Sequence, residues 1–342
     1  MDKNKLSFQM NVEDFLPADE SEKQSLVVMR ESVGFWKDGM RRLKKNKIAM
    51  VSLIVVLVIF VLSFVIPTVY PYKYEQQIKT SVNLAPMQYS ETELAQIEAG
   101  EKVFPHILGT DNLGRDYAVR VMMGSRVSLL VGLVASAIIL LIGSLYGSIS
   151  GFFGGWVDMV MMRIVDIIYT VPDVLMAAVL NYPLKDLSQK PGFEWIGVIG
   201  VNLISIFLVF ALLYWVGMAR IVRSQIMILK EQEYVTAARA LGASSGRIIR
   251  KHLLTNCIGT LIVTTTLQIP SSIFTESFLS FLGLGVNAPM PSLGSLASAA
   301  INGLQSYPHR LFAPAIMISV IILSFNLLGD GLRDAFDPKM KN

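Results

Sequence analysis

Three charged residues of this 342-residue chain lie inside an apolar stretch, where a charge is costly. Asp158, Arg163 and Asp166 fall between Val157 and Leu180. A charge at the centre of a membrane helix costs about 2.5–3.5 kcal/mol on insertion scales. Arg163 and Asp166 are three residues apart, so they can pair on one face of a helix. Such residues either line a polar path through a membrane or clamp neighbouring helices together, and we favour the clamp.

The other reactive side chains do not predict an enzyme. Glu276 lies near the end of another apolar run, where it could contact cargo or a partner subunit. His106, His252 and His309 are far apart in sequence and fall on different sides of the predicted membrane, so we expect no metal site. The chain contains no Gly-Lys dipeptide and therefore no G-x-x-x-x-G-K-[ST] loop for nucleotide phosphates. We predict no catalytic residue and no bound cofactor.

The most informative polar segment runs from Ala219 to Asn256, between two apolar runs. Strong helix formers from Leu229 to Leu241 stop at Gly242, which suits the left-handed turn after a helix. Ser244 or Ser245 can then cap a second helix that continues into the membrane. A helix, a glycine and a second helix at a membrane surface indicate a binding site for another protein.

Composition indicates an all-α membrane protein. The chain is 53% hydrophobic and 16% charged, and its mean hydropathy is +0.52. Runs of about 20 apolar residues can cross a bilayer, and only helices satisfy their own backbone there. The net charge of +4 comes from basic residues at membrane edges, which indicates topology and not nucleic-acid binding. The six predicted spans are Ile48 to Ile66, Val127 to Ser150, Val157 to Leu180, Ile196 to Gly217, Cys257 to Leu282 and Leu311 to Leu328.

Lysine and arginine set the predicted orientation. They are concentrated before the first span and in the polar loop 219–256, so both termini and this loop are expected in the cytoplasm. The predicted parts are a cytoplasmic tail 1–47 with a basic interfacial helix, the first span 48–66, an external segment 67–126, a core 127–332 that contains the loop, and a cytoplasmic tail 333–342. We also expect a short helix over 90–99 and either a short helix or a loop within 283–310.

Prolines and glycines mark special backbone positions. Pro172 and Pro270 interrupt predicted spans, where they act as hinges or as static kinks. Five glycines recur along the end of the second predicted span and after it, and small residues spaced so allow close helix packing: Gly143, Gly147, Gly151, Gly154 and Gly155.

The polar loop carries a resemblance. Its sequence EYVTAARALGASSGRIIRKHLLTN resembles the cytoplasmic signature of ATP-binding-cassette (ABC) importer permeases. Four further blocks resemble the same family in the same order: GTDNLGRDYAVRVMMGSRVSL, GGWVDMVMMRIVDIIYTVPDVLMA, ESFLSFLGLGVNAPMPSLG and NLLGDGLRDAFDPKMK. The match is specific to the C-type membrane subunit of oligopeptide and dipeptide importers.

The resemblance implies a type I importer permease fold in the bacterial cytoplasmic membrane. It implies a homologous second permease, two cytoplasmic ATPases that carry ATP and Mg²⁺, and an external peptide-binding protein or lipoprotein. The loop is then the coupling helix that sits in a groove on an ATPase. Its expected contact residues are small, apolar or charged at the rim: Ala237, Ala238 and Gly242; Tyr234 and Leu241; Glu233 and Arg239.

Departures from the family pattern are few. Thr236 stands at an acidic position of the signature, Thr255 at a usual proline, and Leu293 at a common aromatic. The insert 67–105 and the N-terminal tail match nothing that we can place.

Two alternatives stay open. A related importer of nickel or another small solute would share the fold and the loop. A secondary transporter or channel working alone would need ion-coupling residues in both halves and an inverted repeat, and we detect no repeat.

Overall fold

The structure, a computed structural model, describes residues 34–286 and 288–336. Within these ranges the regular secondary structure is helical apart from one isolated β-bridge, so the all-α prediction is confirmed. The helices, numbered in chain order, are α1 (Phe35–Lys45), α2 (Lys47–Val69), α3 (Glu91–Glu98), α4 (Tyr117–Phe153), α5 (Gly155–Tyr169), α6 (Asp173–Leu187), α7 (Glu194–Ile199), α8 (Val201–Val209), α9 (Trp215–Leu229), α10 (Glu233–Ala240), α11 (Ser245–Arg247), α12 (Leu254–Asn256), α13 (Ile258–Phe281), α14 (Leu293–Ala300) and α15 (His309–Phe336). Two π-helical segments join α8 to α9 (Phe210–Tyr214) and α11 to α12 (Ile248–Leu253). The predicted tails lie mostly outside the described residues.

Five helices of the described chain are long and apolar enough to cross a membrane. They are α2, α4, the continuous pair α8–α9, α13 and α15, and the bent pair α5–α6 is a sixth candidate. The helices α2, α13 and α15 coincide with the first, fifth and sixth predicted spans. The predicted short helices are confirmed by α3 and α14.

The second predicted span is longer than expected. Helix α4 has 37 residues and begins ten residues before the predicted start at Val127. Asp116 caps it, because its side chain accepts a hydrogen bond from the backbone N–H of Val119 at 3.0 Å. At 1.5 Å per residue α4 is about 55 Å long, against about 30 Å for the hydrocarbon core. It therefore extends well beyond the apolar layer.

The predicted span from Val157 to Leu180, with its predicted bend at Pro172, is two separate helices. Helices α5 and α6 meet at 83°, with Thr170 to Pro172 between them. Pro172 occupies the capping position of α6 with φ −66° and ψ 126°, so it starts a new helix and does not kink an existing one. Pro270, in contrast, lies inside the continuous helix α13.

The fourth span also differs from its prediction. It continues through the π segment and α9 to Leu229, 12 residues beyond the predicted end at Gly217. Ala219, Val222 and Ile226 are buried in the core, which explains why this part of the chain stays helical. The predicted loop 219–256 is therefore shortened, and its irregular part begins at residue 230.

Glycines on α4 bring α9 into close contact. A Cβ atom added at Gly147 would lie close to the carbonyl oxygen of Ala219, and one at Gly151 would be 2.8 Å from the carbonyl oxygen of Arg223. A Cβ at Gly143 would be 2.6 Å from the Cβ of Met218. The predicted role in helix packing is confirmed for these three glycines and is wrong for Gly155, where a Cβ would meet nothing within 4 Å.

Gly147→Val should therefore destabilise the folded chain. The added side chain meets backbone atoms that cannot rotate away, and overpacking typically costs about 1–3 kcal/mol. Gly217→Ala is the matched control, because a Cβ there meets nothing within 4 Å. Thermal unfolding in detergent would measure both variants. A Gly147→Val chain as stable as the Gly217→Ala chain would contradict the close approach.

A buried histidine organises the polar segment between α2 and α4. The His106 ring is fully buried; its Nδ1 lies 2.8 Å from Oδ2 of Asp116 and its Nε2 lies 3.1 Å from Oε1 of Glu93. Tyr72 stacks on the ring with centroids 4.5 Å apart. Because Glu93 belongs to α3 and Asp116 caps α4, His106 fastens one helix to the start of the other.

Both partners on this contact have shifted pKa values. Burial opposes the charged ring, but the hydrogen bonds and charges of Asp116 and Glu93 outweigh it and raise the pKa of His106. Burial likewise opposes ionisation of Glu93, but hydrogen bonds from Ser90, Ser81 and His106 lower its pKa. The folded chain therefore favours the protonated ring of His106 and the ionised carboxylate of Glu93.

The raised pKa of His106 and the lowered pKa of Glu93 predict that the folded structure of segment 70–116 is most stable within a limited pH range. The contribution of His106 is complete below its unfolded pKa of about 6.5 and is lost as the pH rises through the raised value. The contribution of Glu93 is complete above about 4.3 and is lost as the pH falls through the lowered value. Hydrogen exchange across the segment should therefore speed up on either side of this window. His106→Gln should flatten the alkaline limb, and an unchanged limb in that variant would refute the assignment.

Candidate functional site: the polar loop and its anchors

The polar loop is a short helix, a glycine turn and a nearly continuous helix that leads into α13. Helix α10 starts after a turn at residues 230–232, so the helical run is shorter than predicted. Gly242 has φ +80° and its N–H donates to the Arg239 carbonyl at 2.9 Å, while the Ala243 N–H donates to Ala238 at 3.0 Å. This pattern is a Schellman motif, so the predicted left-handed glycine turn is confirmed. Ser244 has the extended backbone of a cap but makes no capping hydrogen bond through its side chain.

Helix α10 has a buried and an exposed face. Val235 and Ala238 are buried in the main core cluster of the chain. Tyr234, Ala237 and Leu241 are exposed, and Leu241 is 89% exposed. The spacing of these three residues places them on one helix face. The prediction that Ala238 offers a surface to a partner is wrong, because its side chain packs inward.

Charged side chains fasten the loop to the end of α4. The guanidinium carbon of Arg239 lies 5.3 Å from the ring centroid of Phe152, and Nζ of Lys230 donates to the Gly151 carbonyl at 3.0 Å. Arg239 was expected at the rim of an interface with a partner. In the structure its guanidinium packs on the ring of Phe152 within the same chain. Tyr234 Oη accepts from Asn256 Nδ2 at 3.2 Å, which ties α10 to α12. Glu233 and Gly242 are exposed.

The charges of the third predicted span form clamps between helices. Asp158 on α5 makes a bidentate contact with Nε and Nη2 of Arg223 on α9, and it also accepts from Ser150 on α4. The carboxylate is largely buried, because its side chain is 13% exposed. Three helices therefore meet at one carboxylate, which agrees with the favoured interpretation as a polar clamp.

The predicted pair of Arg163 and Asp166 is wrong. Asp166 contacts Arg220 on α9 at 2.9 Å, and both side chains are about half exposed. Arg220 also lies over the ring of Tyr169, 4.9 Å from its centroid. Arg163 is exposed and makes no ion pair within the described residues.

Arg220 and Arg223 are the ion-pair partners of Asp166 and Asp158, and sequence reasoning misassigned them. They were counted as basic residues of the loop, because the predicted span ended at Gly217. Their spacing of three, which places both on one face of a helix, was the available signal.

Glu276 is fully buried, so the expectation that it contacts cargo or a partner is wrong. Its carboxyl oxygens accept hydrogen bonds from three serines: Ser128 and Ser280 at 2.7 Å and Ser277 at 3.2 Å. Ser128 lies on α4 and Glu276 on α13. The group therefore joins two helices inside the chain.

Comparison with known proteins gives this arrangement a family. Residues 143–342 match the description "Binding-protein-dependent transport system inner membrane component". The chain belongs to this family. Residues 34–86 match a second description, "N-terminal TM domain of oligopeptide transport permease C".

Relatives of this inner-membrane component align over almost the whole chain. It is 40% identical over 327 residues to the oligopeptide transport system permease protein OppC of Bacillus subtilis, covering 96% of this chain and 97% of the relative. It is 40% identical over 328 residues to the dipeptide transport system permease protein DppC of the same organism, covering 96% and 93%. It is 31% identical over 308 residues to the glutathione transport system permease protein GsiD of Pectobacterium atrosepticum, covering 90% and 92%.

These matches also cover the N-terminal part of the permease. The N-terminal tail and the insert 67–105 could not be placed in a family from the sequence alone. The match at residues 34–86 includes α1, α2 and the beginning of the insert, and the alignments to relatives reach 96% of the chain. The N-terminal region is therefore part of the family architecture.

The buried clamp of the permease should be energetically coupled. We expect Asp158→Asn to destabilise the chain by about 1–3 kcal/mol, because a charged hydrogen-bond partner of Arg223 is lost. Arg223→Gln should cost a similar amount, and the double variant less than the sum of the two. Unfolding of the four proteins in detergent would measure the coupling. The half-exposed pair Asp166 and Arg220 is the matched control, with weaker coupling expected. Additive effects at Asp158 and Arg223 would contradict the clamp.

Proposed function

We propose that this chain is a membrane permease subunit of an ABC importer that carries oligopeptides or dipeptides across the bacterial cytoplasmic membrane. The observation that carries the proposal is the alignment at 40% identity over 96% of the chain to a permease named for oligopeptide transport. Other relatives are named for dipeptides and for glutathione, which is itself a small peptide. These names favour peptide cargo over nickel.

In this proposal the exposed face of α10 is the contact surface for a cytoplasmic ATPase. Leu241 is an apolar side chain with 89% of its surface exposed, next to an open glycine turn at Gly242. Tyr234 and Ala237 continue the same face, and Glu233 adds a charge beside it. An apolar anchor with small neighbours fits a groove on a partner, which is where binding energy concentrates. The chain has no phosphate-binding loop, so ATP and Mg²⁺ belong to two partner ATPases.

The same loop is built to pass on a displacement. Backbone hydrogen bonds run through the join of α12 and α13, from Cys257 N–H to the Leu253 carbonyl at 3.1 Å and from Leu261 N–H to the Cys257 carbonyl at 2.9 Å. A displacement of α10 therefore passes through the turn at Gly242 to the hydrogen-bonded helical run that continues into α13. Because Lys230 and Arg239 also hold the end of α4, the helices tilt together and access changes sides.

We place the loop and both termini in the cytoplasm and count six spans, with α5–α6 as the bent one. The basic residues of the loop and of α1 support this orientation. The polar segment 70–116 and α14 then lie outside, where a peptide-binding protein or lipoprotein delivers cargo. The lipid bilayer and these proteins are the partners, and nucleic acid is not.

The half-exposed pair of Asp166 and Arg220 supports a second, homologous permease beside this one. Ion pairs facing lipid are costly, so this surface of α5 and α9 is expected to face another chain or a water-filled path. Exposed apolar residues surround the pair, including Ile167 at 68% and Tyr169 at 71%. A pseudo-twofold partner would cover both kinds of surface.

Leu241→Asp should abolish transport without unfolding the chain. Its side chain makes no buried contact to lose, whereas a carboxylate in an apolar groove should weaken ATPase binding by at least about tenfold. Leu241→Met is the matched control, since it keeps an apolar side chain. The measurements are recovery of the ATPases with the purified permease and ATP-driven uptake of trialanine by vesicles holding the complete importer.

Two results would count against the proposal. Equal recovery of the ATPases with Leu241→Asp would remove the docking role of α10. Uptake that continues without nucleotide or ATPases would indicate a transporter that works alone.

A further inference from the structure

A cavity of about 280 Å³ lies at the end of α4 opposite the polar loop. The turn Asp111–Arg115, the first turn of α4, the end of α14 and the start of α15 surround it. Its charged lining residues are three arginines and one carboxylate: Arg115, Arg120, Arg310 and Asp111. The cavity therefore has an excess of positive charge, and no residue of the proposed ATPase contact contributes to it.

The single carboxylate is already used. Oδ1 of Asp111 accepts from the backbone N–H groups of Leu113 at 2.9 Å and Arg115 at 3.0 Å, and Oδ2 accepts from Nε of Arg115 at 2.7 Å. Nε of Arg120 is 3.5 Å from Oδ2, too far for a good hydrogen bond. Asp111 thus bonds most closely to Arg115 and forms only a longer ion pair with Arg120, and within the described residues Arg310 has no ion pair.

Arg120 and Arg310 are buried cations with donors to spare. They are 6% and 7% exposed, and in each the Nε atom has no hydrogen-bond partner. Arg120 donates to the Tyr74 carbonyl at 3.1 Å. A guanidinium has five N–H donors, and a buried charge is stable only when it is paired. Three arginines therefore share one carboxylate, and within the described residues Arg120 and Arg310 keep positive charge and N–H donors that Asp111 does not fully satisfy.

The same residues are held in fixed positions. Nη2 of Arg310 donates to Oδ1 of Asn83 at 2.9 Å and to the Thr110 carbonyl at 2.7 Å, and its guanidinium lies 4.1 Å from the ring centroid of Tyr307. Such bonds orient the planar group before a ligand arrives, which lowers the entropy lost on binding. Leu296 and Ala300 provide an apolar wall beside the charges.

We propose that this cavity binds the carboxylate of a short peptide, with Arg120 and Arg310 as the anion-binding groups. Arginine suits the task, because its planar fork matches the two oxygens of a carboxylate. The apolar wall then contacts the carbon atoms next to the carboxylate. The carboxylate comes from the C-terminus of the peptide or from an acidic side chain. The choice of a peptide as the ligand and the placement of the site on the outer face rest on the proposed function, whereas the carboxylate chemistry rests on the cavity alone.

Calorimetric titration of the full chain in lipid nanodiscs tests the site. The probes are trialanine, trialanine amide, N-acetylglutamic acid amide and N-acetylglutamine amide. At least one of the two acids should bind, and it should bind at least about tenfold more tightly than its amide. The amide cannot form the charge-assisted hydrogen bond that the carboxylate forms. Binding of trialanine identifies the C-terminus as the source, and binding of the glutamate compound identifies a side chain. No binding of either acid, or equal binding of acid and amide, overturns the proposal.

Variants locate the binding. Arg310→Gln and Arg120→Gln should weaken carboxylate binding by about tenfold or more, whereas Lys79→Ala removes an exposed cation outside the cavity and should change nothing. Because a buried arginine can be needed for folding, Ala299→Trp is a second test. Ala299 is an exposed lining residue, so a bulky side chain there should block the cavity and leave its charges in place. Unchanged binding in Ala299→Trp would overturn the location.

This test is independent of transport. It measures binding to one chain without ATP or ATPases. A negative result would leave the importer proposal standing, and failed uptake by the complete importer would leave a positive binding result standing.

Discussion

The close approach of α4 and α9 is the contact on which the rest of the structure depends. Because Gly147 and Gly151 have no side chain, the backbone of α9 lies where their Cβ atoms would otherwise be. Because α5 follows directly after α4, the same approach brings Arg223 of α9 to Asp158 of α5. A larger residue at either glycine would separate the helices and lengthen this ion pair. Packing therefore sets the electrostatics here, and the charges reinforce a position that the glycines allow.

The polar loop inherits its position from this pair of helices. Val235 and Ala238 of α10 are buried in the same cluster as Phe152 and Ile226, which end α4 and α9. The inward face of α10 is thereby fixed to the bundle, and its outward face is left bare. A short helix that was attached only at its ends would rotate without moving its neighbours. Because the inward face of α10 packs against the bundle, we expect a displacement of α10 to move α4 and α9 as well.

Local patterns in the sequence predicted local structure well. The apolar runs gave the positions of the spans, the stop at Gly242 gave a turn that the structure forms, and the glycine spacing gave the close helix contact. Pairing was harder to predict, because Asp158 and Arg223 are 65 residues apart and periodicity shows which face a residue lies on but not what it meets. Glu276 was misplaced for the same reason.

Helix ends and bends were the other source of error. The start of α4 depends on Asp116, whose capping role is supported by a contact with His106 that the sequence pattern does not reveal. The bend before α6 depends on a proline that can kink a helix or begin one, and the apolar composition is the same in both cases. The long α9 was cut short because Arg220 and Arg223 looked like loop residues until their acidic partners were known.

The structure contains a long unbroken helix, α4, and two breaks in other helices where the backbone is irregular. Arg120 in the cavity and Phe152 under the loop lie on one helix, 32 residues and so about 48 Å apart. An unbroken helix packed along its length resists bending, so its two ends move together. The breaks are elsewhere, at the 83° bend before α6 and in the π segment that ends at Tyr214. Tyr214 donates to Asp173 at 2.6 Å and accepts from Thr275 at 3.2 Å, so α6 and α13 meet at this break. Irregular backbone and side-chain hydrogen bonds rearrange at lower cost than a glycine-packed helix pair. In the proposed importer, a change of access would therefore turn about Tyr214 and carry α4 as a rigid body.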